Sequence, residues 1–395
     1  MRSRSALLFG SLGVLALLAC SSSDLHIVGP SSSYLVNAIA VADIDANGLP
    51  DILGLVSIDV GGAPAQGYVS TRLQGPAGAF AMPTRFGVGT GPANLVLADL
   101  NGDGRPDLVV ANADDHTVSV RLADPARPGF FLPATILATP SRVPLDVAVG
   151  DLDGDGRMDI AVAASGGNSV LVFTQTATGA FNAPVAYAVG GDPQAVTVAD
   201  LDSNGRADIA VATAANTVSI LLQTGAGVFA TAVDYATGVQ PLAIKAADLN
   251  GDGKLDLLTA NFGAATSPGT QGLSVLLQTT PGVFAAPVSY ATEYRPTAMA
   301  VGDLNGDGKP DVAVACEGLP GSPGALSILL QSTTSPGTLL AAVNYPGSYG
   351  PMGVAIADMN GDGKPDLVIA DGDIVVRFNS ATTPGTFGPP NFFYN

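Results

Sequence analysis

The sequence predicts an all-β fold, a seven-bladed β-propeller of four-stranded antiparallel blades. Three observations lead there. An acidic nine-residue motif recurs seven times, and successive copies start 56, 52, 49, 48, 55 and 55 residues apart. Each interval carries the same four short apolar runs separated by turn residues. The composition, 47% hydrophobic with 49 Gly and 29 Pro, supplies a large core and many turns rather than long helices. A period near fifty sustained this often marks a repeat architecture, and four strands per repeat match a propeller blade.

In chain order, the first element is MRSRSALLFGSLGVLALLA, residues 1–19. Arg2 and Arg4 precede an apolar stretch from Ala6 to Ala19 that is short for a membrane span. Leu17-Leu18-Ala19-Cys20 resembles the lipobox of bacterial lipoproteins, so residues 1–19 are expected to be a removed signal peptide and Cys20 the lipidated residue. That resemblance implies a bacterial cell-envelope location, lipid-anchored at the outer membrane or cell surface. Residues 20–35 are a Ser-rich linker, and the propeller is expected over 36–395. With Cys20 acylated, Cys316 has no intrachain disulfide partner. It ends the apolar run DVAVAC and reads as a small buried hydrophobe.

Within each repeat a small-residue strand precedes the motif (AVTVA before Asp200) and a second follows it (DIAVAT). Both are apolar at nearly every position, as expected of strands covered on two faces. A third reads TVSILLQ, and a Gly-containing turn leads to a fourth. The fourth run holds two large apolar residues six apart: Phe80/Phe86, Phe130/Ile136, Phe181/Tyr187, Phe229/Tyr235, Phe284/Tyr290, Leu339/Tyr345 and Phe387/Phe393. An even spacing puts both on one strand face, and inter-blade core is the expected destination. The C-terminal GTFGPPNFFYN reads as the fourth strand of blade seven; residues 25–28 (LHIV) are a second candidate for closing the ring.

The motif itself carries chemistry. Glycine at position 6 allows the positive φ of a tight inward loop. Positions 1, 3 and 5 present carboxylate or amide oxygens, position 7 its carbonyl, and position 9 a carboxylate able to bind through both oxygens. Such hard oxygen donors on a small radius suit calcium, whereas magnesium demands a stricter octahedron. The expected ligands are Asp43, Asp45, Asn47, Leu49 and Asp51 in loop one. Loop two supplies Asp99, Asn101, Asp103, Arg105 and Asp107. Loop three supplies Asp151, Asp153, Asp155, Arg157 and Asp159; loop four, Asp200, Asp202, Asn204, Arg206 and Asp208. Loop five offers Asp248, Asn250, Asp252, Lys254 and Asp256. Loop six offers Asp303, Asn305, Asp307, Lys309 and Asp311; loop seven, Asp358, Asn360, Asp362, Lys364 and Asp366. Of the 32 aspartates, 22 sit in these loops, so up to seven structural calcium ions are expected to relieve their repulsion. Valine at position 12 (Val110, Val162, Val314) and flanking strands exclude an EF-hand. Loop three, with four carboxylates, is expected to be tightest. Loops one and four lack glycine at position 4 and are expected to be weaker.

This pattern, D-x-[DN]-x-[DN]-G-x-x-D after a small-residue strand with strands such as TVSILLQ, resembles the FG-GAP/VCBS repeat family over residues 36–395. The Phe-Gly…Gly-x-Pro phrase itself survives clearly once, at Phe86-Gly87 to Gly91-Pro92. The resemblance implies a propeller like that of integrin α-subunits, with calcium between strands one and two. It also implies cell-surface or secreted relatives, some of them lectins and some acting on glycans.

Acids outnumber bases 34 to 16 without a Lys/Arg cluster, which argues against nucleic acid or an anionic membrane surface as partner. In an antiparallel blade, the calcium loops and the variable 2→3 and 4→1 connections emerge on opposite faces. The long 2→3 segments SIDVGGAPAQG, NFGAATSPGTQG and CEGLPGSPGA make the second face the expected binding face. The leading expectation is adhesion or surface assembly through an extracellular or envelope protein. A lectin is the alternative, with Tyr68, Tyr294 and Tyr349 substituting for the absent Trp. A polysaccharide-degrading enzyme ranks third. His26 and His116 are the only histidines, His116 lies beside Asp114 and Asp115, and Glu293 and Glu317 are the only glutamates. No Ser/His/Asp arrangement is evident, so no enzyme is expected.

Overall fold

The computed structural model describes residues 33–59, 66–264 and 271–393. The signal-peptide and linker readings, Cys20, His26 and residues 25–28 therefore lie outside the described residues. Seven four-stranded antiparallel sheets follow one another in chain order. Their first strands are Ser33–Ala42, Pro92–Ala98, Val143–Gly150, Pro193–Ala199, Pro241–Ala247, Pro296–Gly302 and Gly353–Ala357. In blade four the remaining strands are Asp208–Thr213, Thr217–Leu221 and Val233–Ala236. The chain is an all-β, seven-bladed propeller.

The second strands explain why the sequence reads as unbroken apolar runs. Asp208–Thr213, Asp256–Asn261 and Asp311–Cys316 are buried at every position, because each sheet is covered by a neighbour on both faces. The β-branched residues there suit a pleated, packed surface. Each fully buried Val, Leu or Ile contributes about 1.5–3 kcal/mol. The cores form at the seams: Val170 and Val172 of blade three meet Val196, Ile209 and Val211 of blade four. Space is tight where the loop ends of neighbouring first strands meet. A Cβ on Gly150 would lie 2.5 Å from Val198 Cγ1 of the next blade, too close to fit. Cys316 is fully buried in the seam between blades five and six, as its apolar run suggested. Burial pushes its thiol pKa up to about 12, leaving it chemically quiet.

The paired aromatics do join the blades. Tyr187 packs edge-to-face on Phe229 of the next blade at 4.9 Å between centroids, Tyr235 on Phe284 at 5.5 Å and Tyr345 on Phe387 at 5.8 Å. The Tyr187 hydroxyl donates to the Gly227 carbonyl at 2.7 Å. In blade two the expected pair, Phe130/Ile136, is corrected by one residue. Phe131 and Leu137 take the buried positions, whereas Ile136 is exposed. The bridge before them sets the position: Ala123 pairs with Phe131, as Gln331 does with Leu339 and Asn379 with Phe387, so Phe131 rather than Phe130 is the equivalent residue. A one-residue slip moves a strand's apolar set to its other face.

Among the described residues the ring closes without an exchanged strand. Blade seven takes its fourth strand, Asn391–Phe393, from its own repeat, and the first strand of blade one stays in its own sheet. Ile39, Val41 and Ile52 of blade one pack on Met359, Val368 and Ile374 of blade seven, and Phe80 meets Phe393 at 5.0 Å.

Candidate metal loops and binding face

All seven acidic loops connect first to second strands, on one face of the disc. Their backbone is held by their own side chains. In loop six, Asp303 Oδ1 accepts the N–H groups of Gly306 (2.7 Å) and Asp307 (3.1 Å), and Oδ2 accepts that of Gly308 (2.8 Å). Asn305 Oδ1 accepts the Asp307 N–H at 2.9 Å, and Asp307 Oδ1 accepts that of Lys309 at 3.0 Å. Gly306 and Gly308 take φ of 77° and 83°. At position 4 of loops one and four the same left-handed turn falls on Ala46 (φ 60°) and Ser203 (φ 59°), where L-residues are strained. The glycine loops donate a position-4 N–H to the first aspartate; Ala46 and Ser203 make no such bond.

The position-9 aspartates are fully buried. Asp311 Oδ2 accepts the Leu304 N–H at 3.0 Å, and Oδ1 accepts the Gln331 N–H at 2.7 Å, tying the loop to the end of the third strand. Asp51, Asp107, Asp159, Asp208, Asp256 and Asp366 repeat this grip. Both oxygens thus serve the backbone, each keeping a second lone pair for an ion. Burial, against the pull of these hydrogen bonds, raises the carboxyl pKa of Asp51, Asp159, Asp208, Asp311 and Asp366 to about 6. It shifts Asp107 and Asp256 in the same direction.

Three loops bring carboxylate oxygens within 4.8 Å of one another: Asp43/Asp45/Asp51, Asp151/Asp153/Asp155 and Asp200/Asp202/Asp208. The donor set is all oxygen, which fits a hard divalent cation such as calcium. In loops two, five, six and seven, position 3 is an asparagine offering an amide oxygen. Position-7 cations turn back toward the same blade's hairpin. Lys309 Nζ donates to the Ser332 carbonyl at 3.1 Å and Lys364 Nζ to that of Ala381 at 2.9 Å. Lys254 Nζ instead donates to Asp252 at 2.8 Å, and that bond holds Asp252 below the usual carboxylate range.

A latch between blades was not foreseen. In six of the seven blades the residue closing the third-strand run reaches the position-2 carbonyl of the preceding blade's acidic loop. Gln175 Nε2 donates to Leu100 at 3.0 Å, Gln278 to Leu201 at 2.5 Å and Asn379 Nδ2 to Leu304 at 2.8 Å. Gln223 bonds Leu152 and Gln331 bonds Leu249 in the same way. Gln74 donates to Met359 at 2.6 Å, which latches blade one to blade seven. Blade two has Ala123 at this position, and the Gly129 N–H reaches Ile44 instead, at 3.1 Å. The signal lay in the recurring glutamine of LLQ. Together with the position-9 aspartates, these bonds form a belt around the ring.

On the opposite face, Tyr68 is buried beneath Arg85, whose guanidinium lies 4.9 Å from the ring centroid, so it is not a stacking surface. Tyr294 (37% exposed), Leu319 (46%) and Tyr349 (52%) do face solvent, on the connections of blades five to seven. Between them Arg295, at φ 58°, lies over Phe262 at 5.1 Å and pairs with Glu317 at 3.5 Å. Glu293 accepts from Asn344 at 2.8 Å. Asp115 accepts from Thr90, and His116 Nδ1 lies 2.9 Å from the Arg142 carbonyl. The segments 60–65 and 265–270 of two long loops lie outside the described residues.

The repeat model described as FG-GAP-like repeat matches residues 99–162, 151–211, 200–259, 263–314 and 303–369, more than half of the chain. The chain belongs to the FG-GAP-like repeat family. No curated protein matches it by sequence. Among solved structures it is similar to BBS1N in complex with ARL6DN. In the mercury-soaked crystal the TM-score is 0.53 at 12% identity, covering 90% of this chain and 95% of that one. In the lead-soaked crystal it is 0.54 at 13% identity, covering 89% and 94%. It is also similar to the rhamnogalacturonan lyase PL11 of Bacillus licheniformis, with a TM-score of 0.51, 15% identity and coverage of 86% and 71%. At these identities the likeness concerns the fold.

Proposed function

We propose that this FG-GAP-repeat propeller is a calcium-stabilised binding protein, lipid-anchored at the bacterial envelope through Cys20, that holds a macromolecular partner in adhesion or surface assembly. The observation that carries the binding role is the exposure of Tyr294, Leu319 and Tyr349 on the connections of blades five to seven, opposite the acidic loops. Aromatic and arginine side chains dominate binding energy at protein interfaces. The BBS1N propeller, seen in complex with ARL6DN, supports the reading. His116, Asp115 and Glu293 hold neighbouring loops in place, which favours binding over catalysis at this face. Calcium would be held by the loop oxygens at positions 1, 3, 5 and 9 and the position-7 carbonyl, and it would neutralise crowded carboxylates.

The test captures proteins from envelope fractions on the chain from residue 21 onward, and compares a Tyr294→Ala, Leu319→Ala, Tyr349→Ala variant. A protein held by the parent and released by an equally stable variant supports the proposal; retention by both overturns the assignment of the face. The exposed tyrosine rings also favour a second reading, a calcium-dependent lectin. A discrete glycan-array signal abolished by chelator would put that reading first.

A further inference from the structure

The seven first strands enclose an axial channel of about 370 Å³, within the size range of small-molecule sites. Six of them contribute a polar side chain to its wall, Asn37, Asn94, Asp146, Gln194, Lys245 and Thr297, and blade four adds the hydroxyl of Thr197. Five are already engaged. Asn37 Nδ2 donates to Ser57 Oγ (2.6 Å) and the Pro92 carbonyl (2.8 Å). Asn94 Nδ2 donates to Asp146 Oδ1 at 2.6 Å, and Asp146 also accepts the Val147 and Val196 N–H groups at 2.8 and 2.9 Å. Gln194 donates to the Pro193 carbonyl, and Thr297 to those of Ala315 and Pro351. Lys245 differs. It is exposed in the channel, and among the described residues its ammonium makes no hydrogen bond.

The strand register places it. Asp146 pairs with Ala163, four residues past Asp159, whereas Lys245 pairs with Leu258, two past Asp256. Lys245 therefore roots about 7 Å nearer the acidic-loop face than Asp146, at 3.4 Å per residue. The two interact through the field, but Asp146 is satisfied by its three donors. Glu317, the other acid on the wall, pairs with Arg295. The channel thus holds one cation without a bonded partner, beside the apolar surfaces of Ala148, Val198, Ala243 and Ala298. A charge inside such walls attracts a counter-charge more strongly than one in open water.

We propose that the axial channel binds a small organic anion, a carboxylate with a short apolar body, anchored by Lys245. Its anchor, Lys245, belongs neither to the partner face, which the channel meets at Glu317, nor to the acidic loops.

The chain has four lysines, Lys245, Lys254, Lys309 and Lys364, so reductive methylation with carbon-13, which keeps their charge, yields a readable spectrum. Lys245→Gln identifies the channel signal, and its unchanged melting temperature shows that the fold persists. The probes are butyrate and benzoate, with chloride as control. The Lys245 signal is expected to move saturably at carboxylate concentrations roughly tenfold below those that move the other three. No movement at Lys245, movement of all four in parallel, or an equal response to chloride would overturn the proposal.

Discussion

At position 4 of the acidic loops the backbone is left-handed in every copy named above, yet loops one and four place Ala46 and Ser203 there. An L-residue in this region carries roughly 1–2 kcal/mol of strain, partly offset by glycine's larger entropy loss on folding. Ala46→Gly and Ser203→Gly are therefore expected to stabilise the chain by about 0.5–1 kcal/mol each, and Gly306→Ala to destabilise it by a similar amount. Urea unfolding measures all three; a loss of stability in both glycine variants would refute the strain argument. The buried position-9 carboxyls add a pH dependence. Their folded pKa, about 6 for Asp51, Asp159, Asp208, Asp311 and Asp366, lies above the ordinary carboxylate value. The folded state therefore binds protons more tightly than the unfolded one. Their contribution is fullest below about pH 4 and is lost as pH rises through about 6. Metal-free protein should thus melt higher at pH 5 than at pH 7.5. Calcium, which needs the ionised oxygens, should help more at pH 7.5. A metal-free melting temperature that rises over this interval would contradict the assignment.

Elements are joined by the amide latches as well as by apolar seams. Gln278 is 3% exposed, and its bond to the Leu201 carbonyl crosses between blades five and four. Replacing it with leucine leaves that carbonyl short of a partner, at a cost of about 1–3 kcal/mol. Gln278→Leu should lower stability by that amount and speed amide exchange in the adjoining blades. Gln74→Leu should do the same at the closing seam. An unchanged unfolding midpoint in both would show that the latches are ornamental. The register slip in blade two shows what the sequence could not tell at this scale. Phe130 and Phe131 are adjacent and equally apolar, and the bridge that decides between them, Ala123 to Phe131, is a pairing across the hairpin that residue type alone does not fix.

For the molecule as a whole, the propeller was legible because a period near fifty and seven copies of one motif leave few alternatives. The second strands were equally plain, since burial on both faces demands apolar residues throughout. Tyr68 misled because an aromatic near a turn looks the same in sequence whether an arginine covers it or not. Lys245 was silent for a related reason: one lysine in an otherwise apolar strand, PLAIKAA, reads as an isolated surface charge until seven strands converge around it. The latch glutamines were visible as a recurrence, but their acceptors lie 71 to 82 residues away, and 285 for Gln74 at the closing seam.

The central claim is that calcium in the acidic loops stabilises the ring. Its most direct test is thermal unfolding of the chain from residue 21 onward at pH 7.5, first with chelator and then across a calcium titration. The account predicts a melting temperature that climbs with calcium concentration and falls back when chelator is restored. The same melting temperature in chelator and in millimolar calcium would contradict it.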